Sequence, residues 1–119
     1  MLYNLRVVKF HLEITKMNEI TSDSLPTLLR EGPVLVDFYA DWCQPCRAIK
    51  PVLEQLSTEN NDIKFVMVNI ENSPQLAELH KISALPTIVL MDGDRQKSLV
   101  GLHSKSAIQE CINSFLANK

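Results

Sequence analysis

Basic residues are not in excess in this chain, where 12 Lys and Arg stand against 14 Asp and Glu for a formal net charge of -2. Nucleic acids and anionic membranes demand a concentrated positive surface, so neither is an expected partner. No apolar run approaches the roughly 20 residues of a membrane-spanning helix. The apolar stretch near the N-terminus is interrupted by Arg6, Lys9, His11 and Glu13, which a secretory leader would not tolerate. The expected location is therefore cytoplasmic. Three cysteines are too few, and odd in number, for the disulfide framework that staples small secreted domains. Repeats and low-complexity tracts are missing too. With 119 residues there is too little material for a second core, and 45% hydrophobic and 22% charged residues suit one self-folding unit.

What is present alternates in type along the chain. Leu25 to Gly32 reads as a short helix, with Ser22 or Ser24 as cap, Pro26 early and Gly32 late. Val34 to Tyr39 is apolar on both faces apart from Asp37, the pattern of a central strand covered on both sides. Asp37 is therefore expected to be buried. Ile49, Val52, Leu53 and Leu56 then recur at helical spacing, with Pro51 expected to kink that helix. A second buried strand spans Ile63 to Ile70, and Ser73-Pro74 starts a helix carrying Leu76, Ala77 and Leu79. Thr87 to Met91 and Gln96 to Val100 flank a turn-rich link, Asp92 to Arg95, short enough for a hairpin. Ser104 caps a last helix with Ile108, Cys111, Ile112 and Phe115 on one face. Parallel crossovers followed by a hairpin make an α/β fold with a mixed sheet.

Cys43 and Cys46 form a Cys-x-x-Cys at the start of the second helix. In a reducing compartment this spacing marks either redox chemistry or half of a metal site, and the surroundings decide. The run Val-Asp-Phe-Tyr-Ala-Asp-Trp-Cys-Gln-Pro-Cys-Arg at 36–47 resembles the thioredoxin family, whose active-site loop reads Trp-Cys-Gly-Pro-Cys. Pro51, Asn69-Ile70-Glu71, Leu85-Pro86-Thr87, Gly93 and Gly101 also fall where that family has its equivalents. The resemblance runs from Ile20 to the C-terminus. It implies a thioredoxin fold, a mixed sheet of four to five strands flanked by about four helices, in a domain at 17–119. No second Cys-x-x-Cys or His-x-x-x-His is available to complete a zinc site, so no metal is expected. No cofactor is expected either.

At a helix N-terminus, unpaired N–H groups and the positive end of the dipole favour a thiolate at Cys43, making it the attacking nucleophile. Thioredoxins are themselves the standing example of this effect. Cys46, three residues on, lies within reach of a redox-active disulfide with Cys43 and is the resolving thiol, set deeper and away from water. Asp37 is the expected proton acceptor for Cys46, its own proton held tightly because burial penalises the carboxylate. Pro86 resembles the family's cis-proline, which leaves the backbone at Leu85 free to pair with a substrate strand. Trp42, Gln44 and Pro45 would line the substrate surface, and Gly101 would leave room for a substrate backbone. The implied activity is reduction of disulfides in client proteins by a monomer that an NADPH-linked thioredoxin reductase re-reduces.

Several residues depart from the family pattern. Gln44 replaces the glycine between the cysteines, Met67 stands where many relatives carry a lysine near the buried aspartate, so that no cation is expected to support an ionised Asp37, and Tyr39 replaces a tryptophan. The Tyr39 change is read as one of packing rather than chemistry, and Cys111 as a small buried hydrophobe. Residues 1–16 extend beyond the family start and alternate as an edge strand would, or form a frayed tail. Two other functions compete: a binding module or dedicated single-partner redox protein, and an oxidase or isomerase that would differ in potential rather than in residues.

Overall fold

The computed structural model describes residues 17–118. The extra edge strand or frayed tail expected at 1–16 lies outside the described residues. In chain order the elements are β1 (Asn18–Glu19), α1 (Leu25–Glu31), β2 (Val34–Tyr39), α2 (Gln44–Glu59), β3 (Lys64–Asn69), α3 (Pro74–Leu79), β4 (Thr87–Asp92), β5 (Arg95–Val100) and α4 (Lys105–Ala117). The five strands form one sheet in the order β1-β3-β2-β4-β5. β3 runs parallel to β1 and β2, whereas β4 runs antiparallel to β2 and β5. This is the thioredoxin fold, a mixed sheet with four helices.

Successive side chains on a strand point to opposite faces, and β2 divides its residues accordingly. Val34, Val36 and Phe38 pack with Leu25 of α1 and Leu76 of α3. Leu35 packs on the other face with Ile49, Leu53 and Leu56 of α2 and with Ile108, Ile112 and Phe115 of α4. Each side chain buried completely here, such as Leu35 or Leu53, contributes about 1.5–3 kcal/mol relative to exposure. Because Asp37 is two residues beyond Leu35, it shares the face covered by α2, the helix that begins at the cysteines.

Some sequence expectations need adjustment. β1 is a two-residue ladder pairing Asn18 with Val66 and Glu19 with Met67, too short for any periodicity to announce it. The hairpin loop is two residues rather than four, because Asp92 and Arg95 already pair across it. Gly93 takes φ +62 while Asp94 stays negative, the pattern of a type II′ turn. In α3 only Leu76 is buried, and Leu79 is 71% exposed, since a six-residue helix turns a single side toward the sheet. That helix closes with the Ile82 N–H donating to the Ala77 carbonyl at 2.9 Å and Lys81 at φ +55, a position where glycine is usual. α2 continues through Pro51, whose missing N–H leaves the Arg47 carbonyl without its usual helical donor. Cys111 is half-buried against the core rather than enclosed in it.

Candidate active site

After β2 the chain makes one turn through Ala40, Asp41 and Trp42 and enters α2, with the Cys43 N–H donating to the Ala40 carbonyl at 3.2 Å. Cys43 is the N-cap of α2 in an extended conformation, φ -86 and ψ 111. Its Sγ accepts the backbone N–H of Cys46 at 3.2 Å, taking the place a serine or aspartate oxygen holds in an ordinary cap. The two cysteines are joined by a disulfide, with Cα atoms 5.3 Å apart. The expected difference in depth between them is not found: Cys43 is 5% exposed and Cys46 4%. Both sulfurs are shielded because Tyr39, Ile70 and Leu85 pack around them and Ala40.

The Leu85–Pro86 bond is cis. Leu85 lies against the cysteine pair, and the Pro86 carbonyl accepts the N–H of Gly101 at 2.8 Å. Gly101 adopts φ +89, which favours glycine at the end of β5. A groove of about 400 Å³ runs beside Cys43, and four of the residues expected at the substrate surface line it: Trp42, Gln44, Pro45 and Leu85. Pro86 and Gly101 do not line the groove, and are joined to each other by the Gly101 N–H bond to the Pro86 carbonyl next to Leu85. Ile70, Ile82, Ser83 and Ala84 complete the lining. These were not singled out from sequence, because an isoleucine ending a strand and a Ser-Ala pair before Leu85 carry no chemical signature of their own. Trp42, 64% exposed, offers an apolar rim.

On the far side of the disulfide a second cavity of about 130 Å³ is bounded by Asp37, Tyr39, Ala40, Asp41, Cys46, Arg47, Lys50 and Met67. Asp37 is 2% exposed, and its Oδ1 has no hydrogen-bond partner among the described residues. Burial pushes its carboxyl up to about 7 from an ordinary 3.8, with the nearby Lys50 cation pulling in the opposite direction. The sequence alone suggested that no cation faces Asp37 once Met67 replaces lysine. The structure corrects this: Lys50, one turn along α2 from Cys46, provides one. Among the described residues no cluster of three or more His, Cys, Asp or Glu side chains could hold a metal ion, and no helix is long and apolar enough to cross a membrane.

The family model described as "Thioredoxin" matches residues 12–114. Thioredoxin of Bacillus subtilis (strain 168) is 39% identical over 98 residues, covering 81% of this chain and 94% of that one. Thioredoxin of Chlamydia pneumoniae is 37% identical over 95 residues, covering 79% of this chain and 93% of its own. Among solved structures, the oxidized form of mitochondrial thioredoxin 3 from Saccharomyces cerevisiae superposes with a TM-score of 0.75 at 25% identity, over 87% of this chain and 97% of that one.

Proposed function

This chain belongs to the thioredoxin family and is a protein-disulfide reductase working through a Cys-x-x-Cys pair, and from that premise we propose the role of each residue at its site. Cys43 is the nucleophile. Its thiolate attacks one sulfur of a client disulfide, forming a Cys43–client mixed disulfide and releasing the other client sulfur as a thiolate. Cys46 then passes its proton toward Asp37, and the resulting thiolate attacks the Cys43 sulfur and expels the second client thiolate. The client has gained two electrons, the enzyme has lost two as the Cys43–Cys46 disulfide, and the proton held on Asp37 is available to the departing sulfur.

The observation that carries this reading is the seat of the Cys43 sulfur. It caps the N-terminus of α2, accepts the Cys46 N–H at 3.2 Å, and opens onto the groove. Both the N–H and the helix dipole favour negative charge on that sulfur once the disulfide is reduced. Asp37 suits the acceptor role because its affinity for a proton lies near neutrality and a cavity joins it to Cys46. Trp42, Gln44, Pro45 and Leu85 receive the client segment, with Pro86 and Gly101 holding the Leu85 backbone in position. Gln44 sets partner preference, since its polar side chain stands in the groove beside the nucleophile.

Partners on this reading are disulfide-bearing client proteins and an NADPH-linked reductase that returns the two electrons. The protein acts as a monomer in the cytoplasm. Reduction of insulin disulfides driven by dithiothreitol tests the roles directly. Cys43→Ser is expected to abolish turnover, whereas Cys46→Ser should accumulate a stable Cys43–client mixed disulfide visible on non-reducing gels. Turnover that survives Cys43→Ser would refute the assignment of the nucleophile.

A further inference from the structure

Tyr39 forms one wall of the Asp37 cavity, and its hydroxyl bonds a residue that is not part of the cavity lining. That hydroxyl donates to Glu19 Oε1 at 2.6 Å, and Glu19 Oε2 accepts from Asn72 Nδ2 at 3.0 Å. The three residues come from the edge strand β1, the end of β2 and the loop that follows β3. Asn72 is itself fixed, because its N–H and that of Ser73 both donate to the Asn69 carbonyl, at 3.1 and 2.9 Å. Tyr39 is paired with Asn69 in the sheet, and its carbonyl accepts the N–H of Ile70 at 3.0 Å. Ile70 lines the client groove. A single chain of hydrogen bonds therefore links the rim of the proton-acceptor cavity to the loop that flanks the client groove.

We propose that the Glu19–Tyr39–Asn72 chain is a latch, holding the Tyr39 ring as the outer wall of the cavity and restricting water at Asp37, so that Glu19 and Tyr39 are positioning residues for proton transfer from Cys46. This inference rests on the reading of Asp37 as the acceptor. Its physical basis is that a carboxylate kept from water retains its proton more tightly, so a loosened wall would return Asp37 toward ordinary acidity. The latch keeps its form across neutral pH. Its two hydrogen bonds hold the Glu19 carboxyl below its ordinary range, and burial, with Glu19 adding to it, pushes the Tyr39 phenol up to about 12. An ionised acceptor facing a protonated donor makes a charge-assisted bond.

The charged and titratable groups facing Asp37 are Asp41 from the entry loop, Cys46, Arg47 and Lys50 from α2, and Tyr39 from its own strand. Its sheet neighbours on β3 and β4 are Met67 and Ile88, which carry no charge. In the sheet register Met67 stands between Glu19 and Asp37, and two explanations for the influence of Glu19 are separable: closing the wall, or acting as a negative charge.

The experiment follows the Asp37 carboxyl by ¹³C NMR in the reduced protein across pH 4 to 9. Tyr39→Phe removes the bond and keeps every charge, and Glu19→Ala removes the acceptor. Each is expected to lower the Asp37 pKa by about half a unit or more and to move the pH profile of the resolving step with it. Glu19→Gln keeps an acceptor for the Tyr39 hydroxyl without the charge and should titrate as the parent does. An Asp37 titration unmoved by Tyr39→Phe, or Glu19→Gln behaving like Glu19→Ala, would overturn the latch. The role of Asp37 is judged separately, by whether Asp37→Asn slows release of the trapped client, so failure of one does not count as failure of the other.

Discussion

Asp37 is an ionisable residue on the inner face of a strand among Leu35, Ile49 and Ile88, and its cost depends on pH. Its carboxyl goes from an ordinary 3.8 to about 7 in the folded chain because burial disfavours the charge. The folded state therefore retains a proton that the unfolded chain releases between those values. The contribution of Asp37 to stability is greatest below about pH 4, falls as the pH rises through the window, and levels off above about 7. Asp37→Asn removes the penalty. It should raise stability at pH 8 by roughly 2–4 kcal/mol and leave it nearly unchanged at pH 4, as read from urea unfolding at the two values. It should also remove the limb near pH 7 from the resolving step. Stability gained together with turnover lost is the pattern expected where a strained group serves function.

Among the elements, three helices begin at a serine, but only one serine caps with its side chain. Ser104 Oγ accepts the N–H of Ala107 at 3.2 Å, while Ser24 and Ser73 make no such bond. Ser24 has helical backbone angles, φ -84 and ψ -30, which turn its hydroxyl away from the first-turn N–H groups. Ser104→Ala should therefore cost about 1 kcal/mol and Ser24→Ala less than about 0.5 kcal/mol, measured as shifts in the unfolding midpoint. Serine before a proline-containing turn is a legible sign of the helix starts at Ser73 and at Ser24, the latter read together with Ser22, whereas Ser104 was read from the apolar helical spacing that follows it. Whether the hydroxyl caps was not legible, because it depends on the incoming backbone direction set by the neighbouring strand.

Over the whole molecule, the two active-site cavities open at the C-terminal end of β2, where the parallel β2–β3 pair and the antiparallel β4 bring three loops together. The opposite edge of the sheet is held by Arg95. Its guanidinium lies 4.3 Å from the centroid of the Phe115 ring and donates to the carbonyls of Phe115 at 3.0 Å and Asn118 at 2.9 Å. One side chain on β5 thus ties the hairpin to the last turn of α4, whose carbonyls have no helical donors. Lysine cannot reproduce that planar fork. Arg95→Lys is expected to lose about 1 kcal/mol and to speed amide exchange in residues 114–118 while leaving insulin reduction unchanged.

The order of the elements that follow β1, the identity of the reacting pair and the burial of Asp37 were determined by the sequence alone. Each depends on local rules: apolar residues at period 2 or 3.6, proline and glycine at helix ends, and a cysteine three residues from another at a helix start. Contacts between distant segments were decided only by the tertiary structure. Lys50 faces Asp37 where Met67 suggested no cation, Ile70 and Ile82 meet Trp42 across the groove, and Glu19 reaches Tyr39 from 20 residues away. None of these has a local signature, because a side chain's partner across the sheet is fixed by strand order and register. Both are chosen when the two faces of β2 bury their apolar residues together.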